Sequence, residues 1–307
     1  MNAPIADPYT LPIEKLDPSA AKLFQQQQHW AYFERLRKED PVHFVDSEEF
    51  GPYWSITKFQ DIMFVDSHHN EFSSEPVIVI GDPDTDLLPP QFIAMDQPKH
   101  DVQRATVSPA VAPKQLAEWE GLIRSRVAEG LDALPVGESF DWVDRVSIDL
   151  TGRMLATLFD IPQEDRRKLT AWSDVATNTP AVGVTGVSTE ERETRLRECL
   201  AYFTEVWNQR VNEPPKMDFI SLLAHNPETR DMDPLEYLGN LILLIVGGND
   251  TTRNSMSGGV YALNKFPEQF EKLKADHSLI PNMVSEIIRW QTPLAHMRRI
   301  ATQDVEL

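Results

Sequence analysis

Leu241-Ile-Leu-Leu-Ile-Val-Gly-Gly-Asn-Asp-Thr-Thr252 decides how this chain is read. It begins as an apolar helical run and then meets two glycines, a carboxylate and two hydroxyls. Each Gly inside a helix costs roughly 1 kcal/mol relative to Ala, and the Thr pair loses further side-chain freedom. A helix that is only core has no use for that interruption, although a Gly-rich kink or a close helix crossing is a structural alternative. Missing side chains at Gly247 and Gly248 let a ligand or another backbone approach the helix axis. Asp250 beside Thr251 can pass protons, which makes this stretch the candidate reaction site.

Working outward, Asp233 has the features of an N-cap, with Pro234 at N1 and Glu236 at N3, and no Pro follows until Pro267. About 30 residues of helix, roughly 45 Å at ~1.5 Å rise, would cross a whole domain. Upstream, helical spacing predicts elements over 25–37, 58–66, 99–107, from Pro113 to about Leu134, over 142–159, over 164–176 and from Ser188 to about Val211. Ser188 and Glu191 have capping-box spacing. Val42–Val45 and Tyr53–Ile56, separated by Gly51-Pro52, read as a hairpin. A final helix is expected over 282–290, followed by an extended tail, His296–Leu307. The class is mainly α with small β-sheets: a loosely held segment 1–24, then one domain over 25–307.

Two connections invite a functional reading. Residues 73–98 carry six prolines and glycines together with apolar Val77–Ile80 and Phe92–Met95, a pattern suited to a lid, a binding loop or a meandering surface segment. Residues 177–187 are small and uncharged, and could gate a site between two helices.

Composition excludes several classes. With 29 Lys+Arg against 48 Asp+Glu, the net charge of -19 argues against non-specific binding to nucleic acid or anionic membrane. A single Cys rules out an intramolecular disulfide and fits a reducing compartment. The first residues lack a basic and then apolar secretory pattern, and Leu238–Val246 is about half the length needed to span a bilayer. Together these predict a cytoplasmic protein without a membrane span. The chain has no GxGxxG, Walker-type, GxSxG or HExxH motif. His68-His69 has no second pair at ligand spacing, and Cys199 reads as a packing residue.

Three further features could carry chemistry. His100 and Arg104 lie one helical turn apart and could both donate to a carboxylate. Glu286 and Arg289 form an i,i+3 pair among Val284, Ile287 and Ile288, so partial burial and a further hydrogen-bond partner are expected. In the Arg298-Arg299 doublet, strand alternation sends the two side chains to opposite faces, one of them toward an anion.

Taken in order, these features resemble the cytochrome P-450 monooxygenases. Gly247-Gly-Asn-Asp-Thr-Thr252 is similar to that family's oxygen-activating helix segment, Glu286-Ile-Ile-Arg289 to its ExxR pair, and His100-Asp-Val-Gln-Arg104 to its propionate-binding helix. Arg299, five residues before Asp304, matches the second propionate arginine. Phe50-Gly-Pro-Tyr-Trp54, Phe92-Ile-Ala-Met-Asp96, Phe140-Asp-Trp-Val143 and the stretches 247–259 and 285–299 resemble the bacterial alkane-hydroxylase branch, class 153.

The resemblance implies a P-450 fold, haem b against Gly247 and Gly248, and propionate contacts from His100, Arg104 and Arg299. It gives Thr251 a hydrogen-bonding role at bound dioxygen and Asp250 a proton relay. Electrons would come from NADH through a ferredoxin reductase and a ferredoxin. The implied activity is terminal hydroxylation of medium-chain n-alkanes, with fatty-acid ω-hydroxylation as the near alternative and a non-catalytic helical scaffold as the alternative from another class. Candidate walls of the apolar substrate pocket are Phe92, Met95, Leu243, Val246 and residues 175–187. The family's haem-ligating Cys lies in a loop beyond ExxR that this chain does not reach, so the resemblance implies a sequence truncated at its C-terminus, with no metal ligand present and no activity of its own.

Overall fold

The computed structural model describes residues 5–82, 88–177 and 187–307. Its helices are α1 (Ala21–Gln25), α2 (His29–Glu39), α3 (Phe59–Ser67), α4 (Lys99–Val107), α5 (Pro113–Glu118), α6 (Glu120–Asp132) and α7 (Asp149–Leu158). They continue with α8 (Arg166–Thr177), α9 (Thr189–Arg210), α10 (Phe219–His225), α11 (Pro234–Lys265), α12 (Pro267–Ala275) and α13 (Ile280–Gln291). Strands β1 (Val42–Ser47) and β2 (Gly51–Ile56) form the expected antiparallel hairpin, with Gly51 at φ 74° where the turn enters β2. β3 (Phe72–Ser73) pairs antiparallel with β4 (Ile300–Ala301) from the far end of the chain.

The long helix forms as its ends dictate. The Asp233 carboxylate accepts from Leu235 N at 2.8 Å, Pro234 occupies N1, and the helix runs 32 residues. Tyr237 through Ile242 are buried without a break, so this stretch of α11 is enclosed on all sides. Around it pack Leu155 and Phe159 of the α7 region, Leu169 and Trp172 of α8, Phe203 of α9, and Phe219 and Leu223 of α10. Phe159 meets Phe203 and Phe219 with ring centroids 5.2 Å apart in each case. Such aromatic pairs add about 0.5–1.5 kcal/mol beyond the area they bury. Beyond Asn249, only Gly258 and Gly259 of α11 are buried.

The structure departs from the sequence reading at several places. The helix expected from Pro113 breaks at Trp119 (φ −89°, ψ −4°) into α5 and α6, neither of which has a buried residue. The helix expected over 142–159 starts with a π-helical turn, Val143–Ile148, before α7. Ser188 caps α9 as expected, accepting from Glu191 N at 3.1 Å. α1, α10 and α12 were not anticipated.

The segment expected to be loose is packed over residues 5–24. Tyr32 Oη donates to Ala6 O at 3.0 Å, Arg35 donates to the carbonyls of Pro8 and Leu11, and Leu16 and Leu23 are buried with Tyr32 and Leu36. Two buried leucines and three bonds from α2 supply the attachment that the proline-rich composition concealed. The proposed gate over 177–187 lies, apart from its ends, outside the described residues.

Candidate active site

The two glycines at the interruption of α11 do different things. A Cβ added at Gly248 would come within 2.6 Å of Leu155 Cδ2 on α7, so its missing side chain serves helix packing. One added at Gly247 would meet nothing within 4 Å. Only Gly247, which is exposed, borders open space, and the shared role expected for the pair divides between them. Asn249 is buried and accepts from Thr151 Oγ1 of α7 at 3.0 Å, which fixes the rotation of α11 about its axis. With α7 on the side of Gly248 and Asn249, Gly247 and Thr251 lie toward the opposite, open side.

Thr251 Oγ1 donates to Gly247 O at 2.9 Å, one turn back along the helix. The Asp250 carboxylate accepts from Arg253 on one oxygen and from Asn254 Nδ2 at 3.3 Å on the other. Burial opposes the charge on Arg253, yet its hydrogen bonds to Asp174 and Asp250 outweigh that and hold its pKa above the usual arginine value.

A buried amide ties the neighbouring elements to this helix. Asn240 Oδ1 accepts from Phe92 N at 2.9 Å, and Asn240 Nδ2 donates to Gln103 Oε1 of α4 at 2.7 Å. Lys99 and Gln103 both donate to Glu236. These bonds turn the Lys99/Gln103 side of α4 toward α11, so His100 and Arg104, each one residue further on, occupy the adjoining side. At its other end the 73–98 loop is stapled by Asp96, which accepts from Ser73 Oγ at 2.5 Å and Ser74 N at 3.0 Å. Sequence reading missed Asn240 and Gly239. A Cβ on Gly239 would lie 1.9 Å from Pro90 O, so this glycine lets the 89–90 backbone cross directly over α11. The signal available was Gly239-Asn240 inside a run otherwise apolar.

The expected cation sites differ from one another. Arg104 is exposed, and its guanidinium has no partner among the described residues, while His100 Nδ1 lies 2.8 Å from its neighbour Asp101. Arg299 is already engaged, with Nη2 on Asp66 at 2.6 Å and Nη1 on Arg298 O at 2.9 Å. Arg298 donates to Gly81 O and to Asp82 at 3.0 Å, so the doublet does diverge toward separate acceptors. Glu286 and Arg289 form a two-bond fork at 2.7 and 2.6 Å whose hydrogen bonding holds the Glu286 carboxyl below the usual range. The expected partial burial of this pair is not found. Both side chains are more than half exposed because α13 has no buried residue.

Phe92 and Met95 are buried in the main apolar cluster, and Leu243 and Val246 pack against it, so the structure brings the proposed pocket residues onto one apolar body. Of the walls expected over 175–187, residues 178–186 lie outside the described part. Cys199 is fully buried among apolar side chains, and burial pushes its thiol well above the usual range, as suits a packing residue.

Open space at Gly247 and an Arg104 guanidinium without a partner among the described residues, beside His100, suit a largely apolar macrocycle bearing carboxylates. Arg299 would have to exchange Asp66 to join them. No protein-family model matches the chain. A class-153 cytochrome P450 from Novosphingobium aromaticivorans superposes with TM-score 0.87 and 46% identity over 95% of this chain and 74% of that one. CYP153D17 from a Sphingomonas species gives TM-score 0.88 and 48% identity over 96% and 75%. Among curated relatives, the methyl-branched lipid omega-hydroxylase of Mycobacterium tuberculosis is 30% identical over 90% of this chain and 67% of its own length. The linalool 8-monooxygenase of Pseudomonas putida is 29% identical over 96% of this chain and 75% of its own length. Shared sequence at these levels, together with a predominantly helical fold that superposes along nearly all of its length, shows that the chain belongs to the cytochrome P450 monooxygenase family.

Proposed function

We propose that the full-length protein hydroxylates the terminal carbon of medium-chain n-alkanes. The observation that carries this reading is the identity of 46% and 48% to two class-153 structures, since that class is the alkane-hydroxylase branch this sequence resembles. A relative described as a methyl-branched lipid omega-hydroxylase supports the second reading, ω-hydroxylation of a fatty acid or similar lipid. Both put the reaction at a chain end. A narrow site walled by Phe92, Met95, Leu243 and Val246 would favour that end by excluding the rest of the chain, even though its C–H bond is the stronger one.

Haem iron is the cofactor of the family, and its chemistry when bound is to activate dioxygen so that one oxygen enters a C–H bond and the other leaves as water. Arg104 and His100 would hold a propionate, with Arg299 a second once Asp66 is displaced. Gly247 leaves room for the macrocycle. Turning its hydroxyl away from Gly247 O, Thr251 would donate its proton on the open side while its oxygen takes up a replacement. Asp250 would bring that proton from solvent.

Electrons would arrive from NADH through a ferredoxin reductase and a ferredoxin. An acidic ferredoxin meeting a chain of net charge -19 requires a local basic patch. No described helix is long and apolar enough to cross a membrane, and the protein is proposed to work in the cytoplasm.

Full-length protein should show the reduced-CO absorption band of a thiolate-ligated haem and convert n-octane to 1-octanol in preference to internal alcohols. Internal alcohols as the main product would overturn the terminal assignment, and faster turnover of the matching fatty acid would select the second reading. In the same assay Thr251→Ala should keep haem and reductant consumption while oxygen emerges as hydrogen peroxide. An unchanged ratio of product to reductant would remove Thr251 from proton delivery.

A further inference from the structure

Arg253 is the one cation on α11 that reaches both the proposed proton relay and a neighbouring helix. Its side chain is 15% exposed. One amino nitrogen donates to Asp250 Oδ1, and the other donates to Asp174 Oδ1 of α8 at 3.0 Å. The second Asp250 oxygen accepts from Asn254 at 3.3 Å, so the carboxylate is held from two sides.

Helix geometry adds a direction. At about 100° per residue, Asp250 stands roughly 60° from Arg253 and roughly 60° from Gly247 on the other side. The relay carboxylate therefore sits between the face turned to α8 and the open face. A flexible acid in that position would sample both. A planar guanidinium anchored at a second point on α8 restricts that sampling, since a rigid fork loses little freedom in making each bond. With Asp174 half exposed, the pair between the helices adds only a modest increment of stability, so the main value of the arrangement is geometric.

We propose that Arg253 is a positioning residue, holding Asp250 at the edge of the open face and using Asp174 as its anchor on α8. The inference rests on the reading of Asp250 as the proton relay. Packing of α8 against α11 thereby sets the placement of a group that belongs to α11.

The test combines a mutant cycle with a charge exchange, all in the full-length haem protein. Arg253→Gln is expected to lower turnover about tenfold with KM changed less than about twofold, and to shift the solvent isotope effect as Asp250→Asn does. Arg253→Lys should recover part of the loss. In an Asp250→Asn background Arg253→Gln should have no further effect on turnover. Exchanging the charges, Asp174→Arg with Arg253→Asp, rebuilds an ion pair between the helices but leaves Asp250 facing a carboxylate. This double variant should recover the thermal unfolding temperature lost in Arg253→Gln and remain slow.

Recovery of both stability and turnover by the exchange would make Arg253 an interhelical strut and overturn the proposal. So would a full tenfold effect of Arg253→Gln in the Asp250→Asn background. Normal turnover and isotope effect in Asp250→Asn alone would instead remove the relay reading on which the inference stands.

Discussion

Asp250→Asn should lower turnover of the full-length protein by about a hundredfold while leaving haem content intact. Asn has the same shape and can keep its contact with Asn254, but its amide neither takes up nor releases a proton near neutral pH. General acid–base groups contribute about 10²–10⁴ in rate, and water entering the open side would make up part of the deficit, so the low end is expected. The solvent isotope effect should change in parallel, because proton delivery then limits the reaction. Turnover and isotope effect both equal to those of the parent protein would rule Asp250 out.

A second large effect is expected at a residue that touches no substrate. Gly239→Ala would place a Cβ 1.9 Å from Pro90 O and 2.6 Å from Pro90 C. Both neighbours are backbone, and the segment cannot lift without breaking the bond from Phe92 N to Asn240. We expect a loss of about 3 kcal/mol or more in denaturant unfolding, at the upper end for overpacking. Gly247→Ala is the matched control. With no haem present its Cβ meets nothing within 4 Å, so the better helix former should stabilise the haem-free chain by up to about 1 kcal/mol. Equal unfolding midpoints for the two variants would contradict the separate roles given to these glycines.

The long helix was legible in the sequence because its determinants are local. Asp233-Pro234 starts it, the next proline ends it, and an apolar run interrupted at Gly239-Asn240 marks the half that is buried. The hairpin and the cap at Ser188 were legible for the same reason. What escaped depends on partners distant in sequence. Gly239 looks like a lapse in an apolar run until Pro90 is laid across it. Gly247 and Gly248 are indistinguishable as letters, and only the position of Leu155 separates them. Pro267 was read as the end of one helix, whereas it also opens α12 at the favoured first position. α10 is seven residues long, too short for periodicity to declare, though Asp218 caps it by accepting from Ser221 N at 2.8 Å. The apolar spacing around Glu286 and Arg289 suggested burial, but periodicity identifies a face without saying what covers it.

The unequal burial of α11 has a mechanical meaning. The helix is a beam held most tightly from Tyr237 to Asn249 and only half-covered afterwards, except where Gly258 and Gly259 meet Gln291 and Ile287 of α13. In a beam held this way, load applied to the free arm moves the tip most and the root least. Asp250 and Thr251 stand at the root. Strain entering through α13 is therefore spent mostly on the far turns of α11, and the two residues proposed to deliver protons lie where such deflection is smallest.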